Sequence, residues 1–358
     1  MKIQKATHKY EAWLAKRITV VKEDLELKHA RMAEDAFQFL RATFYRWAQV
    51  WPELCPDMAK APEVLAVGDL HVENFGTWRD REARLVWGVN DLDEAHPMAY
   101  TNDLVRLAVS AHLAIAGNRL AIQTEDACGA ILAGYREGVE SGGRPFVLEE
   151  NHNWLREVAT GDLRDPVQFW KKMEGLATVR GQVPKSARKA LEALLPERGI
   201  PYRVAHRVAG LGSLGRERYV ALARWEGGWV AREAKALLPS ACVWADGGKG
   251  SEKIRYEDVI THAARAIDPY VHLRGSWIVR RLAPHCSRIE LSTLPKRRDE
   301  ERLLHAMGFE TANIHWGSKE AMRAVHRELA KRPPEWLHEA TKKMLKAVEK
   351  DWEEWRKA

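Results

Sequence analysis

The chain is poor in cysteine: Cys55, Cys128, Cys242 and Cys286 stand far apart among 358 residues and form no CxxC pair. Neither a zinc ribbon nor a thioredoxin-type redox centre is indicated, and a reducing compartment is the simplest setting. No run of about eighteen apolar residues occurs, so no transmembrane segment is expected. The start, MKIQKATHKYEAWLAKR, lacks the unbroken apolar stretch of a secretion signal, which leads us to expect a cytoplasmic location. Fourteen histidines include no HExxH or other compact ligand pattern, an absence that argues against a histidine-rich metalloenzyme. There are no internal repeats and no low-complexity linker.

What is present is ordinary for a soluble globular protein, with 46% apolar and 30% charged residues. The length exceeds what one hydrophobic core usually serves, so two lobes with a cleft between them are expected. A formal charge of +7, spread along the chain, is compatible with nucleic acid, an anionic membrane surface or a phosphorylated ligand, and does not choose among them.

Helical periodicity runs through Val50, with Phe37, Leu40, Phe44 and Trp47 on one face, and marks residues 1–60 as a helical layer. Glu63 to Ala66 and Arg84 to Val89 read as strands around a polar loop. Two helices follow, one carrying Leu104, Leu107, Ala108 and Ala111, the other Cys128, Leu132, Tyr135 and Val139; residues 61–199 thus read as a mainly helical lobe. From Tyr202 the pattern alternates, with hairpin signals at Glu226-Gly227-Gly228 and Arg274-Gly275, so residues 200–290 are expected to form a small sheet-rich lobe. Within it, Ser251 to Ala266 reads as a helix. Residues 291–358 return to helix, from Leu303 to Ile314 and again after Pro333-Pro334, and complete the helical lobe.

The chemistry is concentrated in Gly68-Asp69-Leu70-His71-Val72-Glu73-Asn74 and, after a strand, Asn90-Asp91-Leu92-Asp93-Glu94. Phosphoryl transfer needs one carboxylate to meet the attacking hydroxyl, and an amide oxygen with further carboxylates to hold the magnesium that bridges nucleotide phosphates. Asp69 suits the first task, with His71 beside it; Asn74, Asp91 and Asp93 suit the second. Gly-Asp and Asn-Asp are also turn formers, so it is the set rather than either piece that points to chemistry. Gly210-Leu211-Gly212-Ser213-Leu214-Gly215 lies between strand-like stretches, where Gly210, Gly212, Ser213 and Gly215 can bring backbone N–H groups close to phosphates. A strand, not a helix, follows at Arg218 to Arg224, which disfavours a Rossmann site.

These segments resemble known families. Asp69-Leu70-xx-Glu73-Asn74 is similar to the protein-kinase catalytic loop, and Gly68-Asp69-Leu70-His71 with Asn74 is closer to that of the aminoglycoside and choline phosphotransferases. Asp91-Leu92-Asp93 resembles their metal site, and Asn102-Asp103-Leu104 a segment whose aspartate supports the catalytic loop; a helix N-cap at Asn102 or Asp103 is an equal reading of the latter. The chain as a whole resembles the uncharacterised bacterial DUF2252 family, through Arg31-Met32 with Phe37-x-Phe39-Leu40-Arg41, Gly68-Asp69-Leu70-His71-xx-Asn74-Phe75-Gly76, Asn90 to Glu94, and Gly210-x-Gly212-Ser213-x-Gly215. The resemblance implies an α+β, kinase-like two-lobed fold, circularly permuted because the catalytic loop precedes the glycine-rich turn, with added N-terminal helices. It implies ATP and Mg2+ as cofactors and transfer to a hydroxyl of an unidentified acceptor.

Kinases hold the α- and β-phosphates with a lysine seventeen residues after the glycine turn, where this chain has Arg232; in DUF2252 that position corresponds to lysine too. We expect Arg232 to point into the cleft and Lys235, three residues on, to face away, with Glu257, in preference to Glu252, as the helical partner carboxylate. Lys28, Arg31 and Arg41 are candidates to reach a phosphorylated substrate, or else a solvated basic face. The rival readings are a nonenzymatic nucleotide-binding regulator, suggested by Arg232, and a basic nucleic-acid-binding protein, suggested by the abundant Trp and Arg but lacking any recognition motif. A metallophosphoesterase shares Gly-Asp-x-His but would need further histidine motifs that the chain lacks.

Overall fold

A computed structural model describes residues 1–149, 152–159, 165–286 and 299–358. The architecture is mixed α+β with three antiparallel sheets. The N-terminal helical run is divided where the chain turns extended: Asp35 ends the Lys22–Glu34 helix, and its carboxylate accepts the Gln38 N–H at 2.7 Å to cap the next. A second break at Thr43 separates the Ala36–Ala42 and Phe44–Leu54 helices. Phe37, Leu40, Phe44 and Trp47 nevertheless all reach the main core, because the breaks re-aim the helices without releasing their apolar faces.

Strand Glu63–Ala66 pairs with His96–Ala99, not with the next strand in sequence. Between them a separate hairpin, Phe75–Arg79 with Leu85–Val89, is extended by Phe146–Val147. The polar loop and the acidic turn therefore lie at adjacent ends of this hairpin. The Phe75–Arg79 strand escapes sequence reading because its first four side chains are all buried and show no alternation.

The third sheet runs Tyr202–His206, Arg218–Trp225, Gly228–Ala236, Trp277–Leu282, Val271–Arg274, all antiparallel. One face, carrying Val204, Ala221, Ala234, Ala236 and Val279, is covered by Ala187, Ala190 and Leu191 of the Lys185–Glu192 helix. The opposite face, carrying Val220, Leu222, Ala231 and Leu282, packs on Met173, Phe169 and Trp170. The sheet's cover thus comes from before residue 200. Conversely, the Ser251 to Ala266 stretch is helical only over Tyr256–His262, and its Tyr256 and Val259 join the main core.

In the helical body, helices Thr124–Glu140 and Glu300–His315 cross at two reciprocal glycines. A Cβ at Gly134 would lie 1.9 Å from the His305 carbonyl oxygen, and one at Gly308 2.0 Å from that of Ile131. No side chain fits there. Gly134→Ala and Gly308→Ala should each destabilise the fold by about 1–3 kcal/mol, the usual cost of overpacking, despite alanine's helix propensity. Thermal unfolding is the check; a Tm at or above that of the parent protein would contradict the close approach.

Candidate functional site

The loop bearing Asp69 is held by one face of a buried helix. Helix Thr101–Ala116 carries Asp103, Arg106 and Ser110, all fully buried, at the three- and four-residue steps that align side chains on one face. The Asp103 carboxylate accepts the N–H of Val67 at 2.7 Å and of Gly68 at 3.0 Å. Arg106 Nε donates to Asp69 Oδ1 at 3.0 Å, and Ser110 Oγ accepts the Val72 N–H at 3.0 Å. Asp103 is therefore a loop anchor and not a helix cap; the cap position is Tyr100. Gly68, at φ +80°, must be glycine, because a Cβ would stand 2.4 Å from the Glu94 carbonyl oxygen.

Arg106 also donates to the Leu40 carbonyl at 2.9 Å and stacks its guanidinium over Phe44 and Trp47, at 5.0 and 4.9 Å. The N-terminal helices are thereby tied to the loop. Burial pushes the Asp69 carboxyl above its ordinary range, and the Arg106 charge only partly opposes this. Its Oδ1 is taken by Arg106, while Oδ2 lies beneath the glycine turn, 3.3 Å from where a Gly212 Cβ would be. His71 lines the same cleft, with Nδ1 accepting the Glu73 N–H at 3.2 Å.

Asn74 joins the two acidic segments. Its amide donates to the carbonyls of Asp69 at 3.1 Å and Asp91 at 3.0 Å, and its Oδ1 accepts the Asp91 N–H at 2.9 Å. Both amide protons are thus committed to backbone, while Oδ1 keeps a second lone pair. Asp69, His71, Asn74, Asp91, Asp93, Gly210, Gly212 and Ser213 all line one cleft.

The phosphate-holding cation expected at Arg232 is a correction. Arg232 lies on the helix-covered face of the five-stranded sheet; its Nε donates to the Leu194 carbonyl at 2.7 Å and its guanidinium stands 5.3 Å from the Tyr270 ring. Lys235, on the opposite face, brings Nζ to 3.2 Å from Asp91 Oδ1 and 2.6 Å from Asp93 Oδ1. Strand alternation puts the two residues on opposite faces, but only the sheet's packing decides which face meets the cleft, since the Lys185–Glu192 helix covers that of Arg232. Glu257 is exposed at the start of the Tyr256–His262 helix and makes no ion pair among the described residues, so the partners of Lys235 are Asp91 and Asp93.

These two carboxylates share a tight space. Burial opposes the charge of Asp91, yet the Lys235 ammonium, with Arg280 and Arg218 farther off, holds it well below the usual range. Burial and the Asp91 charge together push Asp93 up to about 7. Arg216, at the end of the glycine turn, adds a second cation: it donates to Glu94 at 2.8 Å and stands 3.6 Å from Asp93.

The glycine turn is a single 3-10 turn at Leu211–Ser213 joining strands Tyr202–His206 and Arg218–Trp225. Gly210 and Gly215 adopt φ +74° and +91°. Ser213 Oγ accepts from Arg218 at 2.7 Å and donates to the Gly210 carbonyl at 3.2 Å, which fixes the turn. Lys28 and Arg41 reach the cleft while Arg31 is exposed on the surface. Lys28 is buried and donates to the Gly212 carbonyl at 2.9 Å; burial lowers its ammonium to about 8. Arg41 pairs with Glu73 at 2.6 Å.

Sequence reading missed the buried hub at Glu233. Three arginines surround it: Arg207, Arg218 at 3.1 Å and Arg280 at 2.9 Å. Arg218 continues to Ser213 of the turn, and Arg280 donates to Asn90 Oδ1 at 3.1 Å. One carboxylate thus couples the glycine turn to the acidic segment. A signal existed for Arg106, since its charge interrupts the apolar run from Leu104 to Val109; none distinguished Glu233 from a surface residue.

Removing the loop anchor tests this geometry. Asp103→Ala leaves the Val67 and Gly68 N–H groups and the His315 ring, 3.1 Å away, without their buried acceptor. A loss of about 3–5 kcal/mol is expected, as for other buried charge partners removed singly. Urea unfolding measures it; a loss below about 1 kcal/mol would show that the loop does not depend on this carboxylate.

Among the described residues, no helix is long and apolar enough to cross a membrane. No curated protein and no solved structure matches the chain. Residues 17–196, half of the chain and including both acidic segments with their anchoring helix, match the family described as an uncharacterized protein conserved in bacteria. The chain belongs to that family, DUF2252.

Proposed function

We propose that the protein is an ATP- and Mg2+-dependent phosphotransferase that acts on a hydroxyl of its acceptor, with a permuted kinase-like arrangement. The observation that carries this reading is the convergence of Lys235 with Asp91 and Asp93 below a glycine turn, while Asp69 Oδ2 lies under the same turn. The permuted order is supported by the Glu300–His315 helix, whose terminal His315 stands 3.1 Å from Asp103 and so reaches the loop anchor from a late part of the chain.

The donor set suits the metal. Asp91 and Asp93 supply carboxylate oxygens and Asn74 an amide oxygen, the hard ligands that magnesium prefers. The Lys235 ammonium, bridging both carboxylates, marks the spot as one that takes a cation. Magnesium held there would offset the charge of nucleotide phosphates. The chain's own residues do the rest. Lys235 would set its charge against the phosphates, and the Gly210 to Gly215 backbone would cover them. Arg106 fixes Asp69 Oδ1 so that Oδ2 accepts the acceptor's hydroxyl proton, and Lys28 adds positive charge at that end of the cleft. Arg232, the best support for a nonenzymatic regulator, lies outside the cleft, and that reading is correspondingly weaker.

Two pairs of variants divide these roles. Asp91→Asn should weaken Mg2+-dependent binding of a nonhydrolysable ATP analogue, whereas Asp69→Asn should leave it near that of the parent protein. Background ATP hydrolysis should then fall by about 10²–10⁴-fold in Asp69→Asn, the usual loss with a general base. Lys235→Met should weaken nucleotide binding and Arg232→Met should not. Calorimetry reads the binding terms; equal affinity in Asp91→Asn, Lys235→Met and the parent protein would sink the assignment.

A further inference from the structure

Away from the cleft, three helices of the main body meet at a cluster for which the phosphotransferase reading has no use. His112 on Thr101–Ala116, Cys128 on Thr124–Glu140 and His338 on Trp336–Arg356 each offer one ligand atom, and these atoms lie within 4.8 Å of one another. All three are buried, at 4%, 3% and 8% exposure. Cys128 Sγ is 3.4 Å from His112 Nε2, close to the separation of about 3.5 Å that two such ligands have around a tetrahedral zinc ion.

His338 supplies an independent sign. Both its ring nitrogens are buried and neither makes a hydrogen bond among the described residues. A neutral imidazole carries one donor and one acceptor, and leaving both unmet in a helix interface is costly. Glu125, one turn before Cys128, places Oε1 3.3 Å from His338 Nε2 without the alignment of a hydrogen bond, and its side chain is open to solvent. It gives the cluster both a carboxylate and a path outward.

We infer that His112, Cys128 and His338 form a binding site for one zinc-class transition-metal ion, with Glu125 or a water as the fourth ligand. The mixed nitrogen and sulfur set selects zinc, cobalt(II) or copper(I) over magnesium or calcium. Binding replaces the Cys128 S–H proton with the metal and releases that proton to solvent. His112 gives up its 3.2 Å contact with the Thr124 carbonyl, its proton passing to Nδ1, and Nε2 turns its lone pair to the ion. The consequence is mechanical, because the ion ties the C-terminal helix to the two helices behind the Asp69 loop. This site is independent of the phosphotransferase assignment.

The probes are Zn2+ and Co2+, added to the full chain after chelator treatment and dialysis. Expected are one equivalent of bound zinc by elemental analysis, a Tm rise of about 4 °C or more, and a thiolate-to-cobalt charge-transfer band with Co2+. Cys128→Ser should abolish the band and His338→Gln should weaken binding at least 10-fold, while Cys55→Ser, at a cysteine outside the cluster, should leave both unchanged. Absence of stoichiometric metal on the parent protein, or a band that survives Cys128→Ser, overturns the proposal. Should Cys128→Ser fail to fold, the parent protein decides: a thiolate band with one equivalent, retained in variants of the other three cysteines, upholds it, and a band lost with any of those overturns it.

Discussion

The site rests on three polar side chains along one face of a buried helix. Asp103, Arg106 and Ser110 reach, in turn, the backbone before Asp69, the Asp69 carboxylate and the backbone after it. Burying a carboxylate and a guanidinium away from solvent is costly. The Asp103 carboxylate offsets this by accepting from Val67, Gly68, Asn102 and His315, while Arg106 spends Nε and Nη2 on Asp69 and Leu40 and keeps Nη1 without a hydrogen bond among the described residues. The arrangement has little freedom in consequence. Asp103 is also met by His315 from the Glu300–His315 helix, and Arg106 by the Leu40 carbonyl and two aromatic rings from the N-terminal helices. One helix face therefore ties early and late parts of the chain to a single loop.

Around the cleft the charges come in linked groups. Lys235 answers Asp91 and Asp93, Arg216 answers Glu94 with Asp93 nearby, and Glu233 answers Arg207, Arg218 and Arg280. The arginines outnumber the carboxylate they surround, so the neighbourhood of the glycine turn carries excess positive charge. That excess suits polyanionic phosphate and gives it low-dielectric walls in which charge acts strongly. Arg218 and Arg280 pass the constraint on to Ser213 and Asn90, so glycine turn and acidic segment are positioned by a shared hub.

Much of this was legible in the sequence and some was not. The convergence of Asp69, Asn74 and Asp91 was expected from Asp91 standing at the end of the strand after the loop, but the Phe75–Arg79 strand, whose pairing with Leu85–Val89 brings them to one end, was not read. The sheet after residue 200 was legible from alternation and glycine hairpins. The choice between Arg232 and Lys235 was not, because alternation gives two faces without saying which one a distant helix covers, and the Lys185–Glu192 helix covers that of Arg232. Glu257 looked suitable by position, but nothing in a charged stretch reveals which carboxylate is buried. His112, Cys128 and His338 lie on three helices, so the sequence holds no compact ligand spacing to find.

The central claim is that the Lys235, Asp91 and Asp93 cluster beneath the glycine turn is where a nucleotide's phosphates and their metal are held. A crystal structure of the full chain with Mg2+ and a nonhydrolysable ATP analogue tests it most directly. The account predicts phosphates between Lys235 and the Gly212 backbone, with the ion on Asp91 and the γ-phosphate facing Asp69 Oδ2. Nucleotide bound elsewhere, with the Lys235 to Asp93 ion pair intact, would contradict it.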